Sequence, residues 1–278
     1  MKVFTTVREL KEALKNLPRE SVGMVPTMGA LHEGHLSLVR RAKEECESVV
    51  VSVFVNPTQF NDKNDLRNYP RTPQKDARML EMAGVDFVLM PSVEEIYPEP
   101  DTRVFDFGKV DKVMEGASRP GHFNGVAQVV SRLFEIVNPG KAFFGEKDFQ
   151  QIAVVRAMVA QLSLPVKIVA CPIVREQSGL ALSSRNQLLD EEHLLAAPHI
   201  YAILKDAVSF SENRSVEEVL EFVRDRFDKE PSLDLIYFSL VDSLSMQDVK
   251  NWDEASSVQG CIAVQAGNIR LIDNIRFR

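Results

Sequence analysis

The chain has 278 residues, 45% hydrophobic and 26% charged, with 33 Lys and Arg against 40 Asp and Glu and a formal net charge of −7. That length and composition belong to a globular protein with room for two domain cores, and the acidic balance, with basic residues scattered among acids, argues against a nucleic-acid partner. No run of about 18 apolar residues occurs, so no membrane span is expected, and Cys46, Cys171 and Cys261, odd in number and far apart, suggest no disulfide framework and fit a reducing cytosol.

The opening MKVFTTVRELKEALK carries charges throughout. It lacks the apolar stretch of a secretory signal and reads as a short strand and an amphipathic helix. Residues 22–25 form an apolar strand that runs through a tight turn into a helix beginning with His32 and His35. Leu38, Val39, Ala42 and Cys46 make one face of that helix. Residues 48–55 are β-branched and apolar with little alternation, as expected of a parallel strand covered on both faces; residues 85–90 form another. Val126, Val129, Val130, Leu133 and Val137 define a strongly apolar helix face, stopped by Asn138-Pro139-Gly140. Gly145 ends a further apolar segment, and residues 166–174 hold a strand interrupted by Pro172.

Eleven of the 13 glycines and 12 of the 14 prolines lie before residue 180, which places a boundary near 176–180. The alternation of strands and helices before it predicts an α/β fold with a doubly wound parallel sheet, whose ligands bind beyond the carboxyl ends of the strands. Beyond it, Ser215 to Glu218 reads as a capping box opening a helix. The runs 235–241, 261–265 and 269–272 look like strands, giving a small α+β unit with little obvious chemistry.

The chemistry-bearing residues lie in the loops. His32 and His35, three apart, share one helix face at a helix N-terminus, where unpaired backbone N–H groups and the positive dipole end attract an anion. No P-loop or G-x-G-x-x-G spacing is present. A cap plus a surface histidine, or a two-histidine metal site, are the alternatives for this pair; no Cys or further His clusters with it in the sequence. Asn56 and Gln59 follow a strand, where amides suit hydroxyl and carboxylate groups, though Asn-Pro is also a turn initiator. Lys147 places an ammonium beside a backbone that a phosphate can approach, with Gln151 one turn further along. Ser183, Ser184 and Arg185 offer a compact phosphate clamp just past the boundary, the alternative being a hydrophilic interdomain loop, against which their place at a domain boundary speaks. Arg71 could be carried toward a phosphate, His122 reads as structural, and Asp76 could approach a magnesium-bound phosphate, although a helix-surface acid is the simpler reading.

The segments Pro26-Thr27-Met28-Gly29-Ala30-Leu31-His32-Glu33-Gly34-His35, 54–60, 69–72, 119–123, 144–148 and 182–186, in this order, resemble the pantothenate synthetase (pantoate–β-alanine ligase, AMP-forming) family over essentially the whole chain. The H-x-G-H element is similar to the one with which nucleotidyl-transferring α/β enzymes hold a triphosphate. The resemblance implies a Rossmann-like ATP- and pantoate-binding domain over 1–176 and a C-terminal α+β lid over 177–278. It implies ATP-dependent condensation of (R)-pantoate with β-alanine to pantothenate, on the route to coenzyme A, through a pantoyl adenylate, with ATP and Mg2+ and release of AMP and pyrophosphate. It assigns ATP to Met28, Gly29, Ala30, Leu31, His32, Glu33, Gly34, His35, Gly145, Glu146, Lys147, Asp148, Val174, Leu182, Ser183, Ser184 and Arg185, and catalysis to His35, His32 and Lys147. Gln59 and Gln151 would take pantoate, Gln59 also lying near β-alanine, with Asn56 beside them. Leu182 stands where many members have Met, a volume-conserving change. A proton donor would fall on His35, but pyrophosphate leaves as an anion, so an imidazolium that stabilises charge is the more economical role. The metal would arrive with ATP rather than on a dedicated ligand set, and a cytoplasmic homodimer is implied. A nucleotidyltransferase that stops after adenylyl or cytidylyl transfer is the alternative; the Gln59 and Gln151 pair, suited to a small hydroxy acid, speaks against it. The joint presence of His32, His35, Lys147 and Arg185 speaks against a non-catalytic scaffold.

Overall fold

The computed structural model describes residues 1–278. Six parallel strands, β1 (Lys2–Phe4), β2 (Val22–Thr27), β3 (Ser48–Val53), β4 (Phe87–Leu89), β5 (Lys141–Gly145) and β6 (Lys167–Cys171), form one sheet in the order β1-β4-β3-β2-β5-β6. Succession runs outward from β2 through β3 to β4, then returns to the other side of β2 with β5. The carboxyl ends of β2 and β5 therefore flank the point where the order reverses, the place where such sheets leave a crevice.

The apolar run 48–55 ends as a strand at Val53, and 166–174 ends at Cys171, just before Pro172, which has no N–H to continue a ladder. The apolar segment that Gly145 ends is the strand β5; Ala142, Phe143 and Phe144 are all buried, so no alternation marks it in the sequence. Two apolar clusters cover the sheet. One joins Met24, Val50 and Leu89 to the helices Val7–Leu14, His122–Val137 and Phe149–Gln161; the other joins Val25, Val49 and Val51 to Glu33–Glu45 and Pro73–Met82. The helix His122–Val137 is buried around most of its circumference, and Asn138, with φ of 49°, turns the chain out of it. A Cβ on Gly125 would lie 2.5 Å from the Thr58 carbonyl oxygen, so glycine there lets the turn Pro57–Gln59 rest directly on the helix.

Strands β7 (Asp234–Asp242), β8 (Val258–Ala266) and β9 (Ile269–Arg276) form an antiparallel sheet packed with the helices His199–Phe210 and Val216–Phe227 into a separate core. Ser215 and Glu218 make the expected capping box. Between the two units, Arg175 forms a two-pronged ion pair with Asp273 (2.6 and 2.9 Å) and lies 3.6 Å over the Tyr201 ring. No helix is long and apolar enough to cross a membrane.

Candidate active site

The turn after β2 sets the site. Gly29 and Ala30 both take positive φ (81° and 49°), and the strained turn is held by Asp76. Its carboxylate accepts the Ala30 N–H (3.0 Å), the Leu31 N–H (2.9 Å) and the Thr72 hydroxyl (3.0 Å). Asp76 is 1% exposed, so it is neither a surface acid nor a free metal ligand: both oxygens are spent on neutralising backbone donors that would otherwise be buried unpaired.

The helix Glu33–Glu45 then starts with a double cap. His32 Nδ1 accepts the Gly34 N–H (3.2 Å), and His35 Nδ1 accepts the His32 N–H (3.3 Å). Any Cβ at Gly34 would lie 2.9 Å from the His32 ring, so glycine makes room for the capping imidazole. The helix-start N–H groups at 32 and 34 are therefore not left open for a phosphate, as the sequence suggested; they hold the imidazoles instead. Cap and site are one arrangement, because an accepting Nδ1 leaves the remaining ring proton on Nε2 of each histidine. The rings lie 4.0 Å apart between centroids.

Burial, then the nearby Lys147 charge, pushes His32 down to about 4, with Asp148 acting in the opposite direction. Burial, then His32 and Lys147, pushes His35 down to about 3. Both imidazoles are thus neutral at pH 7. This corrects the imidazolium expected from the sequence: packing two half-buried bases together beside an ammonium disfavours the charged form of each. What they offer is a pair of oriented, uncharged N–H donors.

These groups face a cleft of about 220 Å³. Met28, His32, Gly34 and His35 line it after β2; Asn56 and Gln59 after β3; Gly145, Lys147, Asp148 and Gln151 after β5; Val174 after β6; and Leu182, Ser183, Ser184 and Arg185 from beyond the domain junction. Gly29, Ala30, Leu31, Glu33 and Glu146 do not line it. The first three shape the turn, and the exposed Glu33 pairs with Arg40. Lys147 and Gln151 make no side-chain hydrogen bond within the protein. Arg185 donates to Asp65 (3.0 Å) and lies 5.7 Å from the Tyr69 ring centroid. Ser184, through its hydroxyl, donates to the Ala30 carbonyl (3.2 Å) and ties the far segment to the turn.

Asn56 is 1% exposed and fully occupied: its amide donates to the Gly125 carbonyl and to Gln59 Oε1, and its oxygen accepts from Tyr97 and Thr58. It aims Gln59 more than it addresses a ligand. Arg71 is not carried into the cleft; it donates to the carbonyls of Leu66, Arg67 and Tyr69, satisfying the end of the helix Lys63–Asn68, and Tyr69 lines the cleft instead. His122 is structural: Nδ1 bonds the Gln59 carbonyl (2.8 Å), and burial, with Arg119 beside it, holds it neutral at about 4.

Sequence reasoning missed two contributions. Val126, Val129, Val130 and Leu133 read only as a core face, yet they also form the apolar wall of the cleft. The C-terminal unit, which offered no obvious chemistry, supplies Asn274, whose amide donates to the carbonyls of Glu146 (2.8 Å) and Lys147 (3.0 Å). No periodicity or motif marks Asn274 in the sequence. No three His, Cys, Asp or Glu side chains stand together as a metal-ligand set.

A family model described as pantoate-beta-alanine ligase matches residues 2–276. The pantothenate synthetase of Porphyromonas gingivalis (strain ATCC 33277) is 56% identical over 279 residues, covering 100% of this chain and 99% of the relative. That of Bacteroides fragilis (strain YCH46) is 54% identical over 280 residues, with 100% and 99% covered. The crystal structure of pantothenate synthetase from Thermus thermophilus superposes with a TM-score of 0.94 at 45% identity, covering 100% of this chain and 99% of that one. That of pantoate-beta-alanine ligase from Francisella tularensis, complexed with beta-gamma ATP and beta-alanine, gives 0.84 at 35%, covering 100% and 98%. With a family model spanning nearly every residue and relatives more than half identical from end to end, the chain belongs to the pantoate-beta-alanine ligase family.

Proposed function

We propose that this chain performs its family's ligation in the cleft at the β2/β5 reversal, in two steps on one set of side chains. In the first, a carboxylate oxygen of pantoate attacks the α-phosphorus of ATP. The bond from that phosphorus to the bridging oxygen breaks, and pyrophosphate leaves with the electron pair. In the second, the free amine of β-alanine attacks the acyl carbon; the carbon–oxygen bond to AMP breaks, and the nitrogen gives up a proton as pantothenate forms.

The observation that carries this reading is the convergence of two neutral imidazoles, an unpaired ammonium and paired amides on a single cleft. Charge moves onto phosphate oxygens during adenylyl transfer, and donors fixed in advance lower that barrier. The Nε2 protons of His32 and His35 serve as such donors, while Lys147 and Arg185 carry the compensating positive charge. The first helical turn need not bind phosphate through its backbone, because its imidazole caps do so in its place.

Gln59, aimed by Asn56 and by the His122 bond to its own carbonyl, and Gln151 orient the polar end of pantoate. The quaternary carbon of pantoate carries two methyl groups, which suit the wall of Val126, Val129, Val130 and Leu133. Gly145, Val174 and Leu182 border the nucleoside. Magnesium is read as part of the ATP substrate, since Asp76 is committed to the turn. The units 1–176 and 177–278 are read as an ATP- and pantoate-binding domain and a smaller unit whose clamp at 183–185 closes the cleft, shielding the mixed anhydride from water. A cytoplasmic homodimer is part of the same reading.

The test is incubation with ATP, pantoate and β-alanine. AMP and pyrophosphate formed in step with an amide product support the ligase. A stable nucleotidylated product without amide overturns it in favour of a transferase that stops at the first step.

A further inference from the structure

Lys147 faces the cleft on a flexible four-carbon stem, so the place of its ammonium is set by the backbone that carries it. That backbone is the turn Glu146–Asp148, which joins β5 to the helix Phe149–Gln161. Little in the local sequence fixes this turn. No side chain caps it or the helix that follows, and a Cβ on Gly145 at its start would meet nothing within 4 Å.

The one side chain hydrogen-bonded to the turn comes from the other unit. Asn274 on β9 donates through its amide to the Glu146 carbonyl (2.8 Å) and the Lys147 carbonyl (3.0 Å), across 128 and 127 residues of sequence. The amide is itself held. Gln259 on β8 donates to Asn274 Oδ1 (2.7 Å). Asn274 stands opposite Cys261 in the ladder, so Gln259, two residues along β8, shares its face of the sheet. With the oxygen engaged by Gln259, both amide protons are left to point at the turn. The Asn274 backbone is fixed too: its N–H donates to Asp273 (2.7 Å), which pairs with Arg175 at the junction of the two units. Asn274 and Gln259 are both buried, so water does not compete for these bonds.

Deepening the ligase reading above, on which it rests, we propose that Asn274, oriented by Gln259, is a positioning residue for Lys147. It does not line the cleft and acts only through the turn. The C-terminal sheet thereby sets where the ammonium stands as charge develops on the phosphates, and adenylate formation depends on that sheet being seated at the end of β5. A misplacement of about 1 Å in such a group costs on the order of 10²-fold in rate. Asp148 rides on the same turn and lines the same cleft. A loosened turn would also let its carboxylate approach the ammonium and weaken the positive charge offered to the phosphates.

The experiment follows pantoate-dependent pyrophosphate release at saturating ATP in wild type, Asn274→Ala, Gln259→Met, Lys147→Ala and the double variant Asn274→Ala/Lys147→Ala. Asn274→Ala is expected to lower kcat by about 10- to 100-fold. The KM for pantoate should stay within about threefold, because Gln59 is held by Asn56 and His122 on other elements. Gln259→Met, which leaves the amide free to turn over, should lower kcat by about 3- to 10-fold. On the Lys147→Ala background, removing Asn274 should change kcat by less than about twofold, since the ammonium it positions is gone. An unchanged kcat in Asn274→Ala overturns the proposal. So does a loss as large without Lys147 as with it, which would mean that Asn274 only supports the fold, and so does a Lys147→Ala variant as fast as the wild type. Absence of pantoate-dependent pyrophosphate release in the wild-type protein would instead remove the ligase reading itself, and this assignment with it.

Discussion

Asp76 and Leu31 are bound carboxylate to backbone N–H at 2.9 Å across 45 residues of sequence, and the turn carrying the two site histidines rests on that contact. The second Asp76 oxygen takes the Ala30 N–H, so a single buried side chain fixes two adjacent peptides in a left-handed turn. Asp76→Ala would strand both donors, at about 1–3 kcal/mol each. We expect a clear loss of unfolding free energy together with a drop in the rate of adenylate formation, because the imidazoles lose their registry. A milder rate loss is expected for Asp76→Asn, which keeps an acceptor for one of the two. Urea unfolding and pyrophosphate release on the same preparations check this; full activity in Asp76→Ala would show that the turn holds itself.

His35→Ala and Lys147→Ala remove a donor aimed at developing phosphate charge. Each should lower adenylate formation by on the order of 10²-fold or more. Since His35 also caps the helix start, its variant should lose stability as well, whereas Lys147, which bonds no protein group, should not. Thermal unfolding separates the two. Pyrophosphate release near the wild-type rate in both variants would refute the assigned roles.

Gly34→Ala tests the double role of the cap. A Cβ there would meet the His32 ring at 2.9 Å, and the imidazole must swing off the Gly34 N–H to relieve it. The expected outcome is a folded protein with weakened ATP binding, measured by calorimetric titration. Unaltered affinity would show that the ring position is not needed.

Acid stability follows from the half-buried imidazole of His35 and the buried one of His122. His35 is held down to about 3 and His122 to about 4, against an unfolded value of 6.5. Below pH 6.5 the unfolded chain takes up protons that the folded chain refuses, so stability falls as the pH drops from 6.5 toward 4. Above 6.5 these groups contribute no pH dependence. Denaturant titrations at pH 7.5, 6 and 5 should show this decline, and His122→Gln should flatten it. A stability that is level from 7.5 to 5 would contradict the neutral assignment.

Much of this was legible in the chain itself. The β-branched runs fixed a parallel sheet because strands covered on both faces need apolar residues throughout. His32, His35, Gln59, Lys147 and Gln151 could be named because their motifs sit where strands end, and Arg185 because it stands beside two hydroxyls in a short polar segment. Local patterns could not show which polar side chains are spent on the protein's own backbone. Asp76, Arg71 and Asn56 all look available to a ligand; Asp76 is instead consumed by N–H groups and Asn56 by a carbonyl that only folding brings near, and Arg71 by the carbonyls of the helix end just before it. The charge state of the histidines was decided in the same way. An isolated imidazole near pH 7 can be either form, and only the packing of one half-buried ring on the other, beside Lys147, selects the neutral one. The sequence determined which groups are present and on which strand ends they stand; the tertiary structure decided which of them remain free to act, because hydrogen-bonding capacity is spent in space and not along the chain.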